Sequence, residues 1–168
     1  MGSQAVERDE FHDLVSFTAS QLFERTFTEG MALVEEAARY LDGRGREEAR
    51  LLPRKTAMLF AGESVRVTTR LMQAASWLLV QRAVHEGDMR AEDAARDRYR
   101  LGSKEICLSE AAEGADSLPE MLKGLLARSD ALYRRIARFD EVLFAKTAER
   151  DGIQAQFRKL EQAFGASA

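Results

Sequence analysis

The sequence is poor in the side chains on which disulfides, metal sites and most active sites depend. Its 168 residues include one cysteine, Cys107, so an internal disulfide is excluded and a cytoplasmic location is expected. Its two histidines, His12 and His85, do not stand in the Glu-x-x-His steps that a di-metal carboxylate bundle needs. The Gly43-x-Gly45 pair lacks the third glycine of a phosphate-binding loop. We therefore expect no catalytic site, no metal ion and no cofactor.

Long apolar runs are also missing. The most apolar stretch, residues 71–84, contains Gln73, Ser76 and Gln81, and it falls short of the ~18 uninterrupted apolar residues typical of a membrane span. The formal charge of -3 and the pI near 5.6 disfavour a nucleic-acid partner, because phosphate binding depends on clustered, uncompensated cations. We expect a soluble protein that binds neither membranes nor nucleic acid.

What the sequence does contain is helix-forming residues in long periodic segments. Apolar residues recur at three- and four-residue steps over about residues 16–41, 53–86 and 118–143, which predicts three long helices. The fold class predicted is all-α: a three-helix bundle with a short extra helix or loop between the second and third long helices.

Local signals mark the ends of these helices. Pro53 suits the start of the second helix, and Ser117 with Glu120 forms a capping box that predicts a third helix from about residue 118. The Gly-Arg-Gly-Arg sequence at residues 43–46 predicts a flexible turn after the first helix.

The last part of the chain differs from the rest. After Gly152 the apolar residues lie on a different angular phase from those of the third helix; they are Ile153, Phe157, Leu160 and Phe164. We predict one domain over residues 16–147 and a mobile or weakly packed helical tail over residues 148–168.

The second helix carries two apolar rows on nearly opposite sides. One row consists of Met58, Ala61, Val65, Met72, Leu79 and Ala83. The other consists of Phe60, Val67, Leu71, Ala74 and Leu78. Two neighbouring helices can cover one row, and the other stays exposed unless a loop or a second copy of the chain packs on it. We therefore expect a homodimer.

Between these rows lies a polar row that includes the single tryptophan: Glu63, Arg66, Arg70, Gln73, Trp77 and Gln81. One interpretation is a structural face in which Glu63 pairs with Arg66 and Trp77 packs under a neighbouring helix. The other is a recognition face, since Arg and Trp carry much of the binding energy at interfaces. We predict that the six residues bind an acidic protein partner. A further row on the third helix is more typical of a solvated surface: Arg128, Arg134, Arg135 and Arg138.

Two segments of the sequence match a known family. Residues 29–46 read EGMALVEEAARYLDGRGR, and residues 63–84 read ESVRVTTRLMQAASWLLVQRAV. Weaker matches occur at residues 100–110 and 132–140. On these segments the sequence resembles the bacterial family called regulator of CtrA degradation, and the likeness covers about residues 16–143.

The resemblance implies a non-enzymatic adaptor, a dimeric three-helix bundle that helps the ClpX-ClpP protease degrade cell-cycle regulators. The implied partners are protein cargo and either the unfoldase or a response-regulator-like primary adaptor. The sequence also leaves open a structural or signalling helical dimer with no link to a protease. An enzyme that uses His85 or Cys107 is a third hypothesis.

Overall fold

The structure, a computed structural model, describes the backbone of residues 3–165 and the side chains of residues 21–145, with those of 152, 153, 155, 156 and 158. Every regular element in this part of the chain is helical, so the predicted all-α class is confirmed. None of its helices is long and apolar enough to cross a membrane. The α-helices are α1 (Ser3–Asp42), α2 (Arg44–Leu51), α3 (Arg54–His85), α4 (Ala91–Ala94), α5 (Lys104–Cys107) and α6 (Glu120–Gly165), with 3-10 turns at Asp97–Tyr99 and Ala115–Ser117.

Three long helices, α1, α3 and α6, pack side by side, and their facing sides form the core. Gly30 of α1 allows a close approach to α3, because a Cβ at this position would lie 2.9 Å from Leu78 Cδ1. α3 buries one of its two predicted apolar rows, which consists of Phe60, Val67, Leu71, Ala74 and Leu78. α6 contributes side chains with no solvent exposure, which are Leu122, Leu125, Leu132, Tyr133 and Ile136.

Two ion pairs lie at the edge of the antiparallel contact between α1 and α6. Arg128 donates to both oxygens of Glu36, at 2.7 and 2.6 Å, and Arg135 donates to Glu29 at 2.5 Å. The hydrogen bonds from Arg128 hold the pKa of Glu36 below its ordinary value. Two of the four arginines predicted as a solvated row therefore link the helices, although exposed pairs of this kind contribute only ~0–1 kcal/mol each.

The sequence predicts a flexible turn over residues 43–46, but the turn is confined to Gly43 and α2 begins at Arg44. Gly45 is buried, and a Cβ there would lie 2.8 Å from the carbonyl oxygen of Tyr40. The Tyr40 hydroxyl donates to Glu48 at 2.7 Å, and Arg44 donates to the same carboxylate at 2.7 Å. The prediction of a flexible turn is wrong for residues 44–46, because these contacts fix α2 against the last turn of α1 and outweigh the low helix propensity of Gly45.

The chain returns from the end of α3 to the start of α6 along the outside of both helices. Arg70 contacts Asp130 and, two turns later, Trp77 contacts Asp140, so α3 and α6 run parallel. The connection between them must therefore travel back along their length. Residues 86–119, which we call the return segment, make this connection and contain α4, α5 and both 3-10 turns.

The start of α6 does not use the predicted capping box. The hydroxyl of Ser117 donates to the carbonyl oxygen of Gly114 at 2.7 Å, inside the turn before the helix. The first helical residue is Glu120, two residues later than predicted. Pro119 accounts for part of this difference, because it favours an extended backbone at Leu118, where ψ is 153°.

Both terminal helices are longer than the sequence predicts. α1 begins at Ser3 rather than near residue 16, and α6 continues as one helix through Gly152 to Gly165. The predicted boundary at residue 147 and the weak packing of residues 148–168 concern side chains that fall largely outside the described residues. Both stay predictions.

Candidate functional site

The polar row of α3 faces the return segment and α6 rather than solvent. Glu63, Arg70 and Trp77 are each 4% exposed. The other three residues of the row, Arg66, Gln73 and Gln81, are half-buried. The row is therefore not an open face, because the same chain covers most of it. Binding of an acidic partner by these six residues stays a prediction.

Arg66 and Arg70 bind backbone carbonyls of the return segment. Arg66 Nη1 donates to the carbonyl oxygen of Glu110 at 2.7 Å, and Arg70 Nε donates to that of Cys107 at 2.8 Å. Arg66 also pairs with Glu63 at 3.1 Å, as the structural interpretation of the row predicted. The two arginines therefore hold the second half of the return segment against α3.

Arg70 also reaches α6. Its Nη2 donates to Asp130 at 2.8 Å, and its Nη1 donates to the carbonyl oxygen of Leu126 at 3.2 Å. Burial lowers the pKa of the Arg70 guanidinium, and the Asp130 carboxylate opposes that effect. Each nitrogen of the guanidinium therefore has an acceptor, on two separate elements, which is how a buried cation avoids a large desolvation cost.

Gln73 fixes the middle of the return segment. Its side-chain oxygen accepts from the backbone N–H of Gly102 at 3.1 Å, and its Nε2 donates to Ser103 Oγ at 3.4 Å. From the other side, the Tyr133 hydroxyl of α6 donates to the carbonyl oxygen of Gly102 at 2.6 Å. The backbone of Gly102 is thus hydrogen-bonded to both α3 and α6.

Asp140 of α6 accepts hydrogen bonds near the C-terminal end of the polar row and is only 5% exposed. Its Oδ1 accepts from Trp77 Nε1 at 3.0 Å and from the backbone N–H of Leu101 at 3.4 Å. Its Oδ2 accepts from Arg100 at 3.2 Å, and the Arg100 guanidinium lies 3.9 Å from the ring centroid of Phe144. One carboxylate therefore ties α3, the return segment and α6 together.

Cys107 and His85, the two side chains that a catalytic site could use, pack against other parts of the chain. Cys107 is fully buried, and burial raises the pKa of its thiol, which disfavours the reactive thiolate. His85 lies at the end of α3, with its ring 6.4 Å from that of Phe23. Across the described residues, no group of three or more His, Cys, Asp or Glu side chains could hold a metal ion. His85 also lines an apolar recess of about 480 Å³, together with Phe23, Val84 and Phe139.

The second apolar row of α3 is open to solvent. Four large side chains stand at seven-residue intervals along its outer side: Met58, Val65, Met72 and Leu79. They are 69%, 62%, 65% and 54% exposed, respectively. We call these four residues the outer row. The sequence predicts that one of its two apolar rows lacks a cover within the chain, and the structure identifies the outer row as that one.

Residue patterns gave no signal for the acceptors of the polar row. The main acceptors are backbone carbonyls, at Cys107 and Glu110, and the carboxylates of Asp130 and Asp140 on α6. Any residue supplies a carbonyl, and an aspartate on a helix is typical of a solvated surface. The available signal is the length of the segment between the second and third long helices. A third helix that runs parallel to the second requires a connection that crosses the whole length of the molecule.

Comparison with known proteins places the chain in a family. It matches the family described as "Protein of unknown function (DUF1465)" over residues 14–164. No curated protein matches it significantly. Its structure is similar to the crystal structure of RcdA from Caulobacter crescentus CB15, with a TM-score of 0.61 and 48% sequence identity, covering 74% of this chain and 92% of that chain. The chain therefore belongs to the DUF1465 family, to which RcdA also belongs, as the sequence resemblance predicted.

Proposed function

We propose that the chain is a non-enzymatic adaptor of regulated proteolysis, which helps deliver cell-cycle regulator cargo to the ClpX-ClpP protease in the cytoplasm. The observation that carries this proposal is the 48% identity to RcdA over 92% of that chain. The family resemblance implies a role in degrading another protein, and such a role needs binding surfaces rather than a reactive centre.

The outer row of α3 supports a protein-binding role. Exposed apolar side chains that line up on one helix mark surfaces on which another protein packs. Between Met58 and Leu79, the positions three and four residues from each member of the outer row are small and uncharged, which allows close helix packing. They are Ala61, Gly62, Thr68, Thr69, Ala75 and Ser76. A charged face would have indicated a solvated helix instead.

A second copy of the chain fits this face. The row is symmetric about the midpoint between Thr68 and Thr69, so an antiparallel copy of α3 sets Met58 opposite Leu79 and Val65 opposite Met72. A two-fold dimer requires such self-complementarity, because each surface patch meets its own copy. The proposed adaptor is therefore a homodimer that pairs through α3.

The double substitution Val65→Glu with Met72→Glu is expected to abolish this dimer. In the antiparallel pair each new carboxylate would face a new carboxylate of the other copy, where like charges repel and burial disfavours ionisation. Light scattering should give about half the molar mass of the unchanged protein at the same concentration. Ile106→Glu is the matched control, because Ile106 is 52% exposed on α5 and lies off the outer row. A double variant with the unchanged mass would contradict the interface.

Reconstituted degradation tests the adaptor role itself. Purified ClpX, ClpP, the response-regulator-like adaptor and a cell-cycle regulator are combined with and without this chain. We expect faster loss of the regulator when the chain is present. An unchanged rate, together with failure to recover the unfoldase or the primary adaptor from a native extract, would favour the alternative, a structural or signalling helical dimer with no protease link.

A further inference from the structure

The corner between α2 and α3 presents one apolar side chain on a fixed backbone. Leu51, the last residue of α2, is 86% exposed, more than any of the other large apolar side chains found exposed in the described residues. Its neighbours hold α2 in place: Ala49 and Leu52 pack on the core, and Gly45 is buried against Tyr40. Leu51 therefore points outward because the opposite side of α2 is used for packing.

Three cations lie close to Leu51 in the sequence, at the junction of α2 and α3. Arg50, Arg54 and Lys55 are exposed, and no ion pair within the described residues involves them. Arg54 and Lys55 occupy the first turn of α3, which has no acidic residue and no side-chain cap. The partial positive charge of a helix N-terminus disfavours cations there, so an acidic group brought to this turn would relieve repulsion. Of the acidic residues on and just before α2, Asp42 and Glu48 form ion pairs with other arginines, whereas no ion pair within the described residues includes Glu47.

We propose that this corner, formed by Arg50, Leu51, Arg54 and Lys55, is a docking surface for an acidic segment of another protein that carries an apolar side chain. The apolar side chain packs on Leu51, and the acidic residues on either side of it pair with the three cations. Protein interfaces commonly place apolar contacts at the centre and polar groups at the rim, where charges set orientation and specificity. The proposal stands independently of the protease link.

The size of the corner favours a protein segment over a lipid surface. Interfacial membrane binding requires a broad apolar helix face, whereas α2 is eight residues long and its exposed large apolar side chain is Leu51. Recognition of anionic lipids usually involves about four to eight clustered cations, and this corner has three without ion pairs. A short acidic peptide needs only one apolar contact and a few charges.

Selection from a library of random short peptides tests the proposal on the full chain. Peptides are enriched on the unchanged protein and depleted on a variant that combines Arg54→Glu with Lys55→Glu. We expect the enriched peptides to carry Asp or Glu next to an apolar residue. Their affinity, measured by fluorescence anisotropy, should fall at least about tenfold with Leu51→Ser and with the double charge reversal, and should weaken as salt rises from about 50 to about 500 mM.

Matched controls separate the corner from general charge effects. Arg96→Glu with Arg98→Glu makes the same change in net charge on exposed residues of the return segment, and Ile106→Ser removes another exposed apolar side chain. Both controls should bind the peptides as the unchanged protein does.

Several results would overturn the proposal. One is that the selection yields no peptide whose binding depends on the corner. Another is that the enriched peptides are basic or uncharged. A third is that the control variants lose as much affinity as the corner variants. Binding to phosphatidylserine vesicles that the corner variants abolish would assign the surface to a membrane. A lower molar mass of the Arg54→Glu, Lys55→Glu variant in light scattering would assign it to the contact between copies.

Discussion

Replacing Arg70 by glutamate is expected to destabilise the chain by about 4 kcal/mol or more, a large part of the ~5–15 kcal/mol that separates folded from unfolded domains. The guanidinium of Arg70 is 5% exposed and donates to Cys107, Leu126 and Asp130. A glutamate there would leave the buried Cys107 carbonyl without this donor and set a second carboxylate beside Asp130. Urea unfolding, followed by circular dichroism, measures the loss.

Arg134→Glu is the matched control for this experiment. Arg134 donates to the same carboxylate, with its Nε 2.7 Å from Asp130 Oδ2, but its side chain is 48% exposed. Solvent screens an exposed pair, so the control should change the free energy of unfolding by less than about 1 kcal/mol. If Arg70→Glu were as mild as Arg134→Glu, the return segment would not depend on Arg70, and the polar row could again be considered as a partner surface.

The sequence predicted the apolar side of α3 well because burial follows periodicity. Residues that recur at helical spacing must face the same way, so two separate apolar rows on one helix imply two covered sides or one open side. The structure has one side covered, by α1 and α6, and one side open at Met58, Val65, Met72 and Leu79. Both outcomes depend only on the spacing of residues along a single helix.

The polar side of α3 could not be interpreted in the same way. A row of Arg, Gln and Trp has the same pattern whether its donors bind another protein or carbonyls of the same chain. Arg66 and Arg70 bind carbonyls 44 and 37 residues away in sequence, and Trp77 binds a carboxylate 63 residues away. Such partners are set by the path of the chain in space, which periodicity within one helix does not specify.

The helix α2 was missed for a related reason. Glycine disfavours helix by about 1 kcal/mol relative to alanine, so Gly43 and Gly45 indicated a turn. In the fold, Gly45 is the residue that lets α2 lie against Tyr40, and a larger residue would collide with the Tyr40 carbonyl. A tertiary contact of this kind reverses a local preference, and its consequence is the exposed position of Leu51 at the α2–α3 corner.

Removing the carboxylate of Asp140 is expected to have an effect comparable to the Arg70 charge reversal. Asp140→Ala leaves the indole N–H of Trp77 and the backbone N–H of Leu101 without their acceptor and leaves Arg100 without its counter-charge. Each unsatisfied buried group costs about 1–3 kcal/mol, so a total near 4 kcal/mol is expected. Because Trp77 is the only tryptophan, its fluorescence follows unfolding at this site directly.

Asp140→Asn separates the hydrogen bonds from the charge. The amide keeps an acceptor oxygen for Trp77 and Leu101 but has no charge for Arg100, so the loss should be roughly half that of Asp140→Ala. In both variants the return segment should exchange its backbone amide hydrogens faster at Leu101 and Gly102, because the Asp140 contact anchors that part of the segment. Equal losses for alanine and asparagine would show that the ion pair with Arg100 dominates. Losses below about 1 kcal/mol in both variants would mean that Asp140 does not hold the return segment in place.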